Sequence, residues 1–311
     1  MNATRDWFYQ LPPVDLGDRC LHVGPISHGS GYLFQPVWLG GGCNILYPRF
    51  DAQTVLEALS AEPVSYFFAV PTMVADLTRM AGGQRLDLPA LKAVMVSGAP
   101  ISERTALAGH EVFGDTMYQM YGQTEAVPVT FMGPRTWFSQ VPGSTPLRAA
   151  GQVMPFAELQ IRDEDGEELT ARRLRDGWVL TGDMGRLDEN GFLYVVDRVD
   201  DLIVSGGFNI WPAELEQIIA LMPPVREVAV FGVPDEKWGE TPMALVVVDD
   251  LTAVDEAAVI EECRARLGSY QKPTQVEFRT EPLPRSPVGM IQRKVLREPY
   301  WSGQGRRVGG S

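Results

Sequence analysis

The residues with chemistry to offer fall into short stretches scattered along the chain. YGQTEA, residues 121–126, sets an aromatic face, a small hydroxyl and a carboxylate close together in Tyr121, Thr124 and Glu125. At the carboxyl end of a strand, all three would project into the crevice where α/β sheets take up ligands. GWVLTGDMG places Asp183 in a glycine-flanked turn, where a carboxylate can accept from two hydroxyls of a ribose. DRVDD follows with Arg198, and IVSGGFNIWPAELE carries Gly206 and Gly207, a pair that lets backbone pass close to a ligand. Each stretch is weak alone. Their number and order make the signal.

Elements able to position these stretches are legible around them. LKAVMVSG, residues 91–98, is an apolar run closing on a glycine turn, as a buried strand would be. ISERTALAGHEVFG opens on the capping residue Ser102 and closes at Gly114, which predicts a helix, and DTMYQMYG reads as the next strand. Strand, helix and strand make a unit of the α/β kind. From residue 161 the texture turns to hairpins, with Asp165-Gly166 and Asn190-Gly191 supplying the positive φ that tight turns need, so a small antiparallel β region is expected there. After Arg198, PAELEQIIALM predicts a helix with Pro212 in its first turn. REVAVFGV and PMALVVVDD read as strands, and VDEAAVIEECRARLG as a helix closed by Gly268. The resulting division is a larger α/β domain over residues 1–198, a small α+β domain over 199–300 and a flexible tail over 301–311.

Composition narrows the function classes. With 45% hydrophobic and 22% charged residues, the 311-residue chain can bury a sizeable core. A formal net charge of -13 repels polyanions, so nucleic acid is not an expected partner. Cys20, Cys43 and Cys263 form no CxxC pair, so neither a disulfide framework nor a metal site is expected. No apolar run reaches the ~18 residues of a membrane span, and no signal-peptide core opens the chain, so a cytoplasmic protein is expected. His22 and His110 read as ordinary satisfied histidines, and Arg293 with Lys294 as a solvated basic cluster.

Taken in order, PISHGSG, VSGAP, YGQTEA, DGWVLTGDMG, DRVDDLIVSGGFNIWPAELE and PRSPVGMIQRKVLRE resemble the motifs of the adenylate-forming superfamily, in its acyl-CoA synthetase branch. The resemblance runs from about residue 21 to residue 298. It implies a truncated large domain of that fold, with a parallel-rich sheet, helices and an abbreviated β region, followed by a small mobile α+β lid domain. It also implies roles residue by residue. Gly98, Ala99 and Pro100 would run along an adenine, with the Tyr121 ring stacking on it and Gly122 among the residues that bind the AMP. Thr124 would touch the α-phosphate, and Glu125 matches the carboxylate that works with magnesium, an ion left doubtful here. Asp183 and Arg198 would hold the ribose. His28 would lie near the acyl carbonyl and the approaching thiol, and Gly206, Gly207 and Phe208 would line a coenzyme A tunnel. Asp200 would be the hinge. The stretch around Phe67, Phe68, Val70 and Met73 would line an acyl pocket, here large and apolar, pointing to an aromatic, alicyclic or medium-chain acyl group.

Departures from the pattern shape the functional expectation. The resemblance implies a Ser/Thr/Gly-rich loop leading into lysine for the ATP phosphates, and no such loop is found in the sequence. A further β segment is expected where Leu169 runs into Thr170, and it too is missing. Where the family keeps a lysine that bridges carboxylate and phosphate during adenylation, this chain has Met290, a neutral thioether. Three readings stand. One is a non-adenylating enzyme that takes an acyl-adenylate made by a partner ligase and passes the acyl group to coenzyme A, releasing AMP. Another is a fragment or lysine-to-methionine mutant of an ATP-dependent acyl-CoA synthetase. The last is a non-catalytic subunit binding AMP, acyl-AMP or coenzyme A. A homodimer or a heteromer with a partner ligase is expected to cover apolar surface.

Overall fold

The computed structural model of the chain describes residues 10–123, 126–161, 174–175, 178–286 and 289–302. Thr124, Glu125, the Asp165-Gly166 turn, the junction at Leu169 and residues 303–311 lie outside them. The chain divides into two compact units. One comprises Met1–Thr181, Gly185–Val195 and Pro287–Met290; the other comprises Gly182–Met184, Val196–Ser286 and Ile291–Ser311.

In the first unit, short strands alternate with helices: β1 (Arg19–His22), α1 (Phe34–Leu39), β2 (Cys43–Leu46), α2 (Ala52–Ala61), β3 (Val64–Ala69), α3 (Pro71–Met80), β4 (Ala93–Val96), α4 (Glu103–Phe113) and β5 (Met117–Gln123). They are followed by β6 (Ala126–Met132), α5 (Pro134–Trp137), β7 (Gly151–Val153), the small pair β8 (Leu174–Arg175) and β9 (Trp178–Val179), then β10 (Asp183–Leu187) and β11 (Phe192–Arg198), of which residues 183–184 and 196–198 belong to the second unit. A nine-stranded sheet runs in the order β10-β11-β7-β6-β5-β4-β3-β1-β2. Strands β1 to β5 pair in parallel, and β5, β6, β7 and β11 pair antiparallel. Every residue of β3 and β4 is buried, which is why these segments read as continuous apolar runs rather than alternating ones. The helix expected between Ser102 and Gly114 forms as α4: the Ser102 hydroxyl accepts from the Thr105 amide at 3.1 Å, and Gly114 closes the last turn at φ 65°.

The Asn190-Gly191 hairpin forms, with Gly191 at φ 77° and the Asp188 carboxylate accepting from the Asn190 and Phe192 amides. The expected antiparallel region forms in two parts: β11 pairs antiparallel with β7 through Phe192 and Leu193 and so extends the large sheet, and β8 with β9 makes a separate two-stranded sheet. Turn chemistry is local, whereas the choice of sheet is decided by burying Phe192, Leu193 and Tyr194.

The second unit holds β12 (Ile203–Ser205), β13 (Phe208–Ile210), α6 (Pro212–Ala220), β14 (Val225–Asp235), β15 (Gly239–Val248), α7 (Glu256–Leu267), β16 (Gln275–Arg279) and α8 (Arg293–Trp301). Its sheet has the order β13-β12-β15-β14, with β16 beside β15. The long β14-β15 hairpin is buried along most of its length, and α7 contributes Val259 and Cys263 to the core beneath it. Among the described residues, no helix is long and apolar enough to cross a membrane.

Candidate functional site

Three parallel strands deliver the first group of candidates at their carboxyl ends. β3 runs through Phe67 and Phe68 into Val70, the N-cap of α3, and Met73 lies in that helix's first turn. β4 runs into the exposed loop of Gly98, Ala99 and Pro100, and β5 ends with Tyr121, Gly122 and Gln123. Gly98 adopts φ 91°, and a side chain there would be strained as well as 3.3 Å from Val70. The Gln123 amide donates to the Thr181 carbonyl at 2.7 Å.

The loop carrying His28 reaches the same group. His28 is exposed and precedes a 3-10 turn over Gly29–Leu33. A Cβ on Gly29 would lie 2.5 Å from the ring of Phe68, so only glycine admits this approach of loop to strand. Gly289 closes the group from the far end of the sequence. Its carbonyl accepts from the Thr72 hydroxyl at 3.3 Å, and a Cβ on it would lie 3.0 Å from Val70. Met290 follows, 36% exposed. Within the first unit, then, segments bearing His28, Phe68, Val70, Met73, Gly98 and Met290 converge. Phe67 turns the other way, edge-on to Phe113 of α4 with centroids 5.8 Å apart.

The second unit holds the remaining candidates. Asp183 and Arg198 form a pair, guanidinium Nε to carboxylate at 3.5 Å, and the Val199 amide donates to the Gly182 carbonyl beside them at 3.0 Å. An acceptor carboxylate next to a cation suits a vicinal diol. Asp200 lies in the 3-10 turn Val199–Asp201 that follows Arg198. Gly206 and Gly207 form the two-residue turn between β12 and β13, at φ 58° and 86°. A Cβ on Gly206 would overlap the indole of Trp238, whereas one on Gly207 would meet nothing among the described residues. Phe208 is exposed and stacks on Tyr270, with centroids 4.9 Å apart. The glycine pair is thus a tight hairpin with one packed and one open position. Thr124 and Glu125 lie outside the described residues, and among those described no cluster of three His, Cys, Asp or Glu could hold a metal ion.

Arg293 departs from the solvated cluster expected of it, while Lys294 is exposed. The Arg293 guanidinium donates to Glu216 of α6 at 2.5 and 3.0 Å and to Asp201 at 3.2 Å. Glu216 raises its pKa further above the ordinary arginine range. Close by, Asp197 is buried and accepts from the Ala213 amide at 2.7 Å and the Arg198 amide at 2.8 Å. Burial pushes its pKa up to about 6, against the opposing pull of these amides and Arg293. Sequence reasoning missed this network and Thr72, because partners 77 and 92 residues from Arg293 leave no local trace. His22 is satisfied, as expected. The His110 ring stacks on Phe138 with centroids 4.0 Å apart, and its Nδ1 has no hydrogen-bond partner among the described residues.

Comparisons with known proteins bear on the family and the fold. Residues 1–179 match the profile described as "AMP-binding enzyme", and residues 214–289 match "AMP-binding enzyme C-terminal domain". A feruloyl-CoA synthase from Amycolatopsis is 35% identical over 96% of this chain and 65% of its own length. The amide bond synthetase McbA from Marinactinospora thermotolerans superposes with a TM-score of 0.83 at 28% identity, over 95% of this chain and 64% of that one. An o-succinylbenzoate CoA synthetase from Bacillus subtilis, solved with its acyl-adenylate intermediate, superposes with a TM-score of 0.78 at 27% identity, over all of this chain and 65% of that one. The chain spans 56% and 65% of the length of two curated CoA-ligase relatives that it matches.

Proposed function

The chain belongs to the AMP-binding enzyme family, and from that premise we propose that it transfers the acyl group of an acyl-adenylate to coenzyme A. The observation that carries this reading is the convergence of the His28 loop, the Gly98 loop and the β3-α3 junction on the segment that ends in Met290. A thioether there offers no charge to a carboxylate and phosphate being joined. A donor to charge that grows in a transition state is worth ~10²- to 10³-fold in rate, so adenylation would be the step most impaired.

The second half-reaction asks less. The sulfur of coenzyme A attacks the acyl carbonyl, a carbon-sulfur bond forms, the bond from carbonyl carbon to phosphate oxygen breaks, and AMP leaves with the electron pair. The thiol proton goes to a base, for which exposed His28 is our candidate. Tyr121, Gly122 and the Gly98-Pro100 loop would hold the adenine, and Asp183 with Arg198 the ribose hydroxyls. Phe68, Val70 and Met73 would face the acyl chain, favouring apolar acids. Gly206, Gly207 and Phe208 would guide the pantetheine, and Asp200 would serve as hinge. Because the anhydride is already activated, orientation of thiol and carbonyl supplies much of the rate.

A second reading, an ATP-dependent CoA ligase of which this sequence is a part, is favoured by the greater length of the relatives. The test is to supply a synthetic acyl-adenylate of an apolar acid with coenzyme A and to measure AMP and thioester. Release of both well above the uncatalysed rate supports the proposal, and no turnover of any acyl-adenylate overturns it.

A further inference from the structure

His22, a buried histidine one loop away from His28, has no role in the reading above. It ends β1 and is 1% exposed. Its Nδ1 lies 3.0 Å from the Ser30 hydroxyl and 3.1 Å from the Ser30 carbonyl, and its Nε2 lies 2.7 Å from Oδ1 of Asn44 on β2. The Asn44 amide nitrogen donates to the Phe34 carbonyl at 3.2 Å, which turns the amide oxygen toward the ring. In the neutral ring, Nε2 carries the hydrogen toward the Asn44 oxygen and Nδ1 accepts from the Ser30 hydroxyl; the Ser30 carbonyl, itself an acceptor, pairs with Nδ1 only when that nitrogen is protonated. Burial lowers the pKa of the ring, and its hydrogen bonds to Asn44 and Ser30 oppose this without outweighing it.

These contacts tie off the loop that presents His28. The His28 amide donates to the Pro25 carbonyl at 3.0 Å, and the Gly31 amide to the His28 carbonyl at 2.9 Å. Gly31 has no room for a Cβ beside the Ile26 carbonyl, and Gly29 has none beside Phe68. The loop is closely packed at both glycines, and its downstream end, at buried Ser30, is held to β1 and β2 through the His22 imidazole. An apolar residue in place of His22 would leave the Ser30 hydroxyl and the Asn44 amide oxygen without this partner in a buried place.

We propose that His22 is a positioning residue for His28, holding the His28 loop against β1 and β2 through the Asn44-His22-Ser30 chain. The inference rests on the acyl-transfer reading for its kinetic consequence but not for its structural one.

The test combines spectra with a double-mutant cycle. The sequence has three histidines, so long-range proton-nitrogen spectra of protein labelled with nitrogen-15 histidine resolve them singly. His22 is expected as the neutral Nε2-H tautomer at pH 7, and the His28 resonances are expected to shift in both Ser30→Ala and His22→Gln. With acyl-adenylate and coenzyme A, each single variant should lower kcat about tenfold, the weight of one hydrogen bond, with KM for the acyl-adenylate unchanged. Because both remove the same link, the double variant should also lose about tenfold rather than a hundredfold. An Nδ1-H tautomer, unmoved His28 resonances or multiplicative losses would overturn the proposal. If the unsubstituted protein turns over no acyl-adenylate, the acyl-transfer reading fails alone, and the spectra decide the role of His22.

Discussion

The two units hold their candidate residues by different physics. In the first, His28, Phe68, Val70 and Gly98 are set by shape: parallel strands end in tight loops, and glycines admit contacts that a methyl group would block. In the second, the turn bearing Asp200 is set by charge, with Arg293 held between Glu216 and Asp201 beside buried Asp197. A site fixed by packing responds to volume and hardly to pH. One fixed by buried ions responds to both pH and the loss of a single partner.

The comparison breaks most visibly at Arg293. Arg293→Met removes the cation and leaves Glu216 and Asp201 facing each other partly buried. A fully buried pair would cost more, but with a quarter of the arginine side chain exposed the expected loss is about 3 kcal/mol. Thermal unfolding should show this as a lowered transition for the second unit, with the first unit's transition in place.

Titration of Asp197 gives the next largest effect. Its folded pKa, about 6, lies above the ordinary carboxylate value of 3.8, so the folded state binds its proton more tightly than the unfolded chain does. The stability it contributes is complete below about pH 4 and is lost as pH rises through about 6. Urea unfolding between pH 4 and pH 7 should show a decline of about 2 kcal/mol from this group. In Asp197→Asn that decline should vanish. An unchanged pH profile would remove Asp197 from the account.

A smaller effect is expected at Gly207, whose open position separates conformational strain from crowding. Gly207→Ala should cost about 1 kcal/mol in the unfolding of the second unit, from the positive φ alone. Gly206→Ala, which must displace the Trp238 indole, should cost more.

What the sequence disclosed follows the same division. The helix from Ser102 to Gly114 and the turn at Asn190-Gly191 were readable because caps and tight turns are decided by residues next to one another. The order of the motif stretches exposed the candidates at the ends of β3, β4 and β5, since their chemistry is written in residue type. The joining of β11 to β7 and the ion pairing of Arg293 were not readable, because both depend on partners far along the chain. His22 looked ordinary for the same reason: its meaning lies in Asn44 and Ser30, contributed by other elements.

The account's central claim, acyl transfer without adenylation, is tested most directly by running both half-reactions on one preparation. With ATP, an apolar carboxylic acid and labelled pyrophosphate, the account predicts no carboxylate-dependent exchange of label into ATP. With the matching acyl-adenylate and coenzyme A, it predicts AMP and thioester in equal amounts. Robust pyrophosphate exchange by the protein with Met290 in place would contradict it.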